Sequence, residues 1–136
     1  MKEYDETIYG YPINDLVIFA DVCRVAVVGP EELKEAVEYA HSHNVRVHCT
    51  INTMPRNDEI ARLPQWLELL EEAGVTAVIL ADVGVLGLAK KYAPNVKIHI
   101  STQASIVNYA SANAWYDLGA KRVILARETS LDEIHE

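Results

Sequence analysis

Gly74-Val75-Thr76-Ala77-Val78-Ile79-Leu80-Ala81 is echoed further along by Gly119-Ala120-Lys121-Arg122-Val123-Ile124-Leu125-Ala126. Each stretch opens on a glycine and runs into Val-Ile-Leu-Ala. A near-continuous apolar run of this length fits a parallel strand covered on both faces. Two such strands resemble each other in any α/β protein. Their recurrence two βα units apart nevertheless suits a barrel better than an open sheet of diverse strands.

Outward from these strands the pattern continues. Val45 to Asn52 alternates cleanly, with Val45, Val47, Cys49 and Ile51 on one face and Arg46, His48, Thr50 and Asn52 on the other. Cys23 to Val28 reads as an earlier strand, and Lys97 to Ser101 and Arg122 to Arg127 as later ones. Helical stretches lie between them. Pro30 suits a first helical turn, Glu31 and Glu32 suit its positive end, and Leu33, Ala36, Val37 and Ala40 recur at helical spacing. A polar loop, Thr53 to Asp58, precedes a helix from Pro64 to Ala73 with Trp66, Leu67 and Leu70 inward, and Gly74 ends it. Asp82 caps the next helix, which stops before Pro94. Thr102-Gln103-Ala104 leads to a helix carrying Val107, Ala110, Ala114, Trp115 and Leu118, closed by Gly119. Ser130 with Glu133 forms a capping box for one more helix. Strands and helices that alternate with short connections define a parallel sheet with right-handed crossovers. Residues 1–22 form a segment of uncertain structure: Tyr11-Pro12 reads as a turn, and Leu16 to Ala20 as a strand or a helical turn. Residues 23–136 form the domain.

Composition bounds the function. The chain has 136 residues, 50% apolar and 24% charged, which allows one ordinary globular domain. Its net charge of −8 argues against a large basic surface, while leaving room for a small basic pocket. No run is apolar enough to span a membrane. The acidic start, Met1 to Glu6, lacks an apolar core behind a basic end, so no signal peptide is expected. The two cysteines, Cys23 and Cys49, have no metal-ligand spacing. Reduced packed thiols in a cytoplasmic protein, or a disulfide in an exported one, account for them.

Five stretches in order resemble the U32 peptidase family: Pro30 to His41, Val47 to Thr53 with Asn57-Asp58-Glu59, Ala81 to Val85, His99-Ile100-Ser101-Thr102-Gln103-Ala104-Ser105, and Leu125 to Glu128 with Ser130-Leu131. The resemblance covers residues 30–136. It implies an α/β fold, a TIM-barrel-like domain of which about half is represented. Members carry a hydrolase or protease label, and others are linked to hydroxylation of RNA bases or of ubiquinone precursors, some with an iron–sulfur cluster. The family's cysteine-containing signature is matched by neither Cys23 nor Cys49. No cofactor is therefore assigned to this chain.

In such a barrel, reactive groups sit at the C-terminal ends of the strands. That rule selects Thr50, Asn52, Asp82, Ser101, Thr102, Gln103, Arg127 and Glu128. Arg127 suits a carboxylate or phosphate, and Asn52 and Gln103 suit amide-type hydrogen bonds. Helix capping is the competing role for Asp82, and pairing with each other for Arg127 and Glu128. His48 and His99 face the barrel interior on the strand alternation. They are weak candidates for a metal or a base, with buried structural histidines as the alternative. No Ser-His-Asp order, HExxH or glycine-rich phosphate loop is present, so no familiar protease can be built from these residues.

A full barrel takes eight βα units and about 250 residues. Half of one leaves strand edges and an apolar face open. It would pair with a second copy, pair with a C-terminal half, or close into a compact open sheet. The candidate substrate is a peptide or an RNA. A non-catalytic half-barrel serving as a subunit or binding module is the alternative to an enzyme, and a flavodoxin-like ligand-binding domain is a weaker third reading.

Overall fold

The computed structural model describes residues 7–8, 11–12, 15–19 and 30–135. Thr7–Ile8 (β1) pairs antiparallel with Tyr11–Pro12 (β2). Tyr11-Pro12 is thus the returning half of a small strand pair rather than a turn; proline lacks a donor and is tolerated at such an edge. The strand expected at 23–28 lies outside the described residues.

The main sheet has five parallel strands in chain order: Asp15–Phe19 (β3), Arg46–Ile51 (β4), Ala77–Leu80 (β5), Lys97–Ile100 (β6) and Arg122–Val123 (β7). The sheet therefore takes in residues ahead of position 23. Strand order equal to sequence order, with parallel neighbours throughout, is the barrel pattern; a doubly wound sheet reverses direction at a switch point. The helices are Pro30–Ser42 (α1), Asn57–Ile60 (α2), Leu63–Ala73 (α3), Val83–Tyr92 (α4), Tyr109–Asp117 (α5) and Leu131–His135 (α6).

The alternation read from the sequence is the one observed. Val47, Cys49, Ile51, Val78, Leu80, Ile98 and Ile100 meet Leu33, Val37, Leu63, Leu67, Leu70 and Val85 in the helix-side core. Leu63, Leu67 and Leu70 are fully buried, each stabilising the fold by about 1.5–3 kcal/mol. The ion pair between Lys34 and Glu72, 3.2 Å long and exposed, contributes only about 0–1 kcal/mol. The apolar stripes therefore decide how α1 and α3 dock.

Local chemistry ends the helices as expected. Gly74 adopts φ 76° after α3 and Gly119 φ 111° after α5. Asn108 Oδ1 accepts from Ser111 N at the start of α5, and Ser130 Oγ and Glu133 form the box that opens α6. Three expectations are modified. The Thr53–Asp58 loop ends inside α2, because the Glu59 carboxylate accepts from Arg56 N at 2.6 Å and holds a short turn. The last strand is shorter than Arg122 to Arg127. After Ile124 N bonds Ile100 O, Ala126 N turns to Ile106 O, because β6 has already given way to the turn at Ser101. On α5, Tyr109 and Tyr116 are exposed, and so are Val107 and Leu118 just beyond its ends.

Candidate functional site

The inner face of the sheet carries the polar half of the alternation. His48, Thr50, His99 and Ser101 are all buried there. His48 stands level with Ala77, and Ala77 with Lys97, so His99 lies two residues beyond the position on β6 level with His48. A barrel staggers by one residue per strand, and side chains from alternate strands form one layer. His48 and His99 are such a layer, with ring centroids 5.1 Å apart and ring planes 54° apart. Thr50 and Ser101 belong to the next layer towards the strand ends.

Two strand spacings amount to about 9.6 Å, so residues on β4 and β6 meet only over something small on β5. The shared face of β5 reads Ala77, Ile79, Ala81. His48 is level with Ala77 and His99 with Ile79, so the two imidazoles approach each other diagonally across β5. Towards the strand ends, Asn52 and Ser101 are both level with Ala81, and Asn52 Nδ2 donates to Ser101 Oγ at 3.5 Å. Ala81, with its small side chain, leaves room for β4 and β6 to touch at that level.

Ser101 does more than accept from Asn52. Its Oγ also accepts from Gln103 N at 3.3 Å, capping the 3₁₀ turn Thr102–Ala104. Ser105 closes that turn at φ 54°, its N–H donating to Thr102 O. The turn sets Gln103 on the exposed rim and leaves Thr102 half-buried. Asp82 is a helix cap, its Oδ1 accepting from Val85 N at 2.9 Å. Arg127 and Glu128 lie in the exposed turn after β7. Among the described residues neither makes an ion pair, so the pairing considered for them is not observed.

The structure thus brings Asn52, Ser101, Thr102 and Gln103 together, with the histidines beneath, and leaves Arg127 and Glu128 on the neighbouring loop. Sequence reading missed Thr53 and Thr129. Their hydroxyls are buried without a hydrogen-bond partner at the same ends of β4 and β7. Buried orphan hydroxyls are uncommon, and nothing in a loop threonine's sequence context announces one.

The arrangement is a hydrogen-bonding rim built on Ser101, which accepts from Asn52 Nδ2 and from the Gln103 amide. Among the described residues, no group of three His, Cys, Asp or Glu side chains could hold a metal ion. Cys49 is buried in the helix-side core. The described residues therefore do not fit an iron–sulfur cluster, and no chemical step is derived through one. No described helix is long and apolar enough to cross a membrane.

The five ordered strands, inward layers and polar strand-end rim define a parallel βα half-barrel. Peptidase family U32 matches residues 22–136, and the chain belongs to that family. It is 42% identical over 106 residues to the tRNA hydroxylation protein P of Helicobacter pylori, covering 78% of this chain and 25% of that protein. It is 40% identical over 106 residues to the tRNA hydroxylation protein P2 of Bacillus subtilis, covering 78% and 34% respectively. The chain thus spans between a quarter and about a third of these relatives. A solved U32 peptidase structure superposes with a TM-score of 0.64 at 18% identity, covering 82% of this chain and 50% of that one. This likeness shows the half-barrel fold.

Proposed function

We propose that the chain is the substrate-holding part of an RNA-hydroxylation factor, working on RNA in the cytoplasm. The observation that carries this reading is the rim itself: Asn52 bonded to Ser101, and Gln103 presented from the same turn. Amide and hydroxyl groups at one pocket mouth suit the edge of a nucleobase, which offers donors and acceptors in one plane. The relatives named for tRNA hydroxylation support the reading, and the hydrolase label of the family supplies no proteolytic residues here. In this role Asn52 and Gln103 hold the base, and His48 and His99 line the floor and position Thr50 and Ser101. Arg127 takes a flanking phosphate. The oxidising chemistry belongs to groups outside the described residues.

The test is a chimera in which this chain replaces the matching segment of the Bacillus subtilis relative, assayed by mass spectrometry of tRNA nucleosides from a strain lacking the native protein. Hydroxylation is expected to be restored. Asn52→Ala and Gln103→Ala should each lower it by about tenfold or more, equivalent to losing one good hydrogen bond of about 1.4 kcal/mol. Full activity in the Asn52→Ala/Gln103→Ala double variant would refute the assignment, and so would peptide cleavage dependent on these residues.

A second reading, a non-catalytic half-barrel acting as a subunit, draws on the exposed Tyr109, Tyr116 and Leu131 beside β7. A dimer or complex that neither hydroxylates RNA nor supports hydroxylation in the chimera would favour it.

A further inference from the structure

The charges of this acidic chain are segregated. Between Val83 and Arg127 there are six basic residues, Lys90, Lys91, Lys97, Lys121, Arg122 and Arg127, and a single acidic one, Asp117. The remainder of the chain therefore carries all the excess negative charge. Three of these lysines, Lys90, Lys97 and Lys121, line one open concavity of about 380 Å³, together with Pro94, Asn95 and Gly119. It lies at the N-terminal ends of β6 and β7, where α4 and α5 finish. The strand-end rim is at the other end of β6, about 13 Å away at ~3.3 Å per residue.

Local structure holds the concavity in shape. Gly119 adopts φ 111°, and a Cβ there would sit 3.5 Å from Lys90 Nζ and 3.7 Å from its Cδ and Cε. The lysine stem lies along this bare glycine and its ammonium donates to Leu118 O at 3.0 Å. An ammonium has three donors, so two remain for a ligand. On the opposite wall, Asn95 N donates to both oxygens of Glu71, and Asn95 Nδ2 donates to Glu71 Oε1. Those contacts occupy the Glu71 carboxylate and fix the loop. Among the described residues, no carboxylate is found at ion-pair distance from Lys90, Lys97 or Lys121. Lysines gathered without a carboxylate partner repel one another, even in a protein of net charge −8. A polyanion relieves that repulsion.

We infer that this concavity is a docking groove for the phosphodiester backbone of a folded RNA, separate from the rim that holds the base. The inference rests on the RNA reading above and adds a second contact surface to it. A folded RNA is large enough to touch both ends of the sheet. The groove supplies sequence-independent affinity and register, while the rim reads the base.

The test measures binding of labelled total tRNA to the 136-residue chain by fluorescence anisotropy across a salt series. Three phosphate contacts give a slope of about −2.7 in log affinity against log salt, a loss of about 40-fold between about 50 and 200 mM. The Lys90→Gln/Lys97→Gln/Lys121→Gln variant should lose most of that slope and bind at least tenfold more weakly at low salt. Lys34→Gln, on the α1–α3 face, should bind as the unmodified chain does. Thermal unfolding of each variant checks that the fold is retained. A triple variant with unchanged affinity and slope would overturn the groove, as would tighter binding to phosphatidylserine vesicles than to tRNA, or no binding of tRNA at low salt. The chimera separates the two proposals. Lysine-dependent tRNA binding without restored hydroxylation sinks the functional reading alone. Restored hydroxylation that is indifferent to the three lysines sinks the groove alone.

Discussion

Asp82 and Gly84 form a coupled pair. A Cβ on Gly84 would meet Asp82 Oδ1 at 2.9 Å, so alanine there displaces the cap of α4. Alanine gains about 1 kcal/mol over glycine in a helix, and a lost aspartate cap costs about 1 kcal/mol. The two effects offset, so Gly84→Ala alone should leave stability nearly unchanged. In an Asp82→Ala background the same change should stabilise by about 1 kcal/mol. A double-mutant cycle by urea unfolding checks this, and the same effect of Gly84→Ala in both backgrounds would refute it. At the other end of the chain, Ser130 N–H and then the Ser130 hydroxyl, both donating to Glu133, hold its carboxyl below the ordinary glutamate range. A depressed folded value means that the cap is fully formed above the unfolded value and is lost as pH falls through the folded one. Titrating the Ser130 amide by NMR should show this transition below the ordinary glutamate range, and Glu133→Gln should abolish it. Both caps were legible in the sequence, because a cap is a short-range pattern. The orphaned hydroxyls of Thr53 and Thr129 were not, because their burial is decided by distant elements.

At the scale of strands and helices, the inner face of β5 controls the site. Ala81→Leu should push Asn52 away from Ser101 and cost about 1–3 kcal/mol through overpacking. The expected signature is a lowered unfolding midpoint together with lost hydroxylation in the chimera. Ile79→Val, one position away on the same face, should leave hydroxylation intact. Equal activity in both variants would show that the contact across β5 is dispensable. The two faces of β4 were readable from alternation alone, since Val47, Cys49 and Ile51 had to face the helices. That His48 and His99 share a layer was not readable, because the stagger between strands appears only once the ladder is built. The length of β7 was not readable either. Its apolar run continues to Ala126, but the partner strand β6 ends first.

For the whole molecule, the sheet side beyond β7 is the open question that physical chemistry poses. Tyr109 is 79% exposed and Leu131 75%, and Tyr116 and Ile134, on the same two helices, are exposed as well. Large apolar side chains left exposed on the last helices are the place to look for a contact surface. Light scattering should give the mass of a dimer, and Tyr109→Asp with Leu131→Asp should give a monomer with an unchanged unfolding midpoint. A monomeric unmodified chain would assign that surface to a different partner. Fold class and strand order were legible because the repeat and the glycine stops are local. The basic groove was hidden, because Lys90, Lys97 and Lys121 come together only when α4, β6 and β7 are set side by side.

The strict two-facedness of β6 has a consequence for how sequence drift can act on this protein. Ile98 and Ile100 belong to the helices, and His99 and Ser101 to the interior. A single-residue insertion early in that strand would swap the two sets, placing imidazole and hydroxyl in the oily layer and isoleucine in the pocket. Such a lineage would lose its fold before it could trade one binding specificity for another. New specificity is therefore expected to arise in the loops after the strands, where length can change freely, and not in the ladder beneath them.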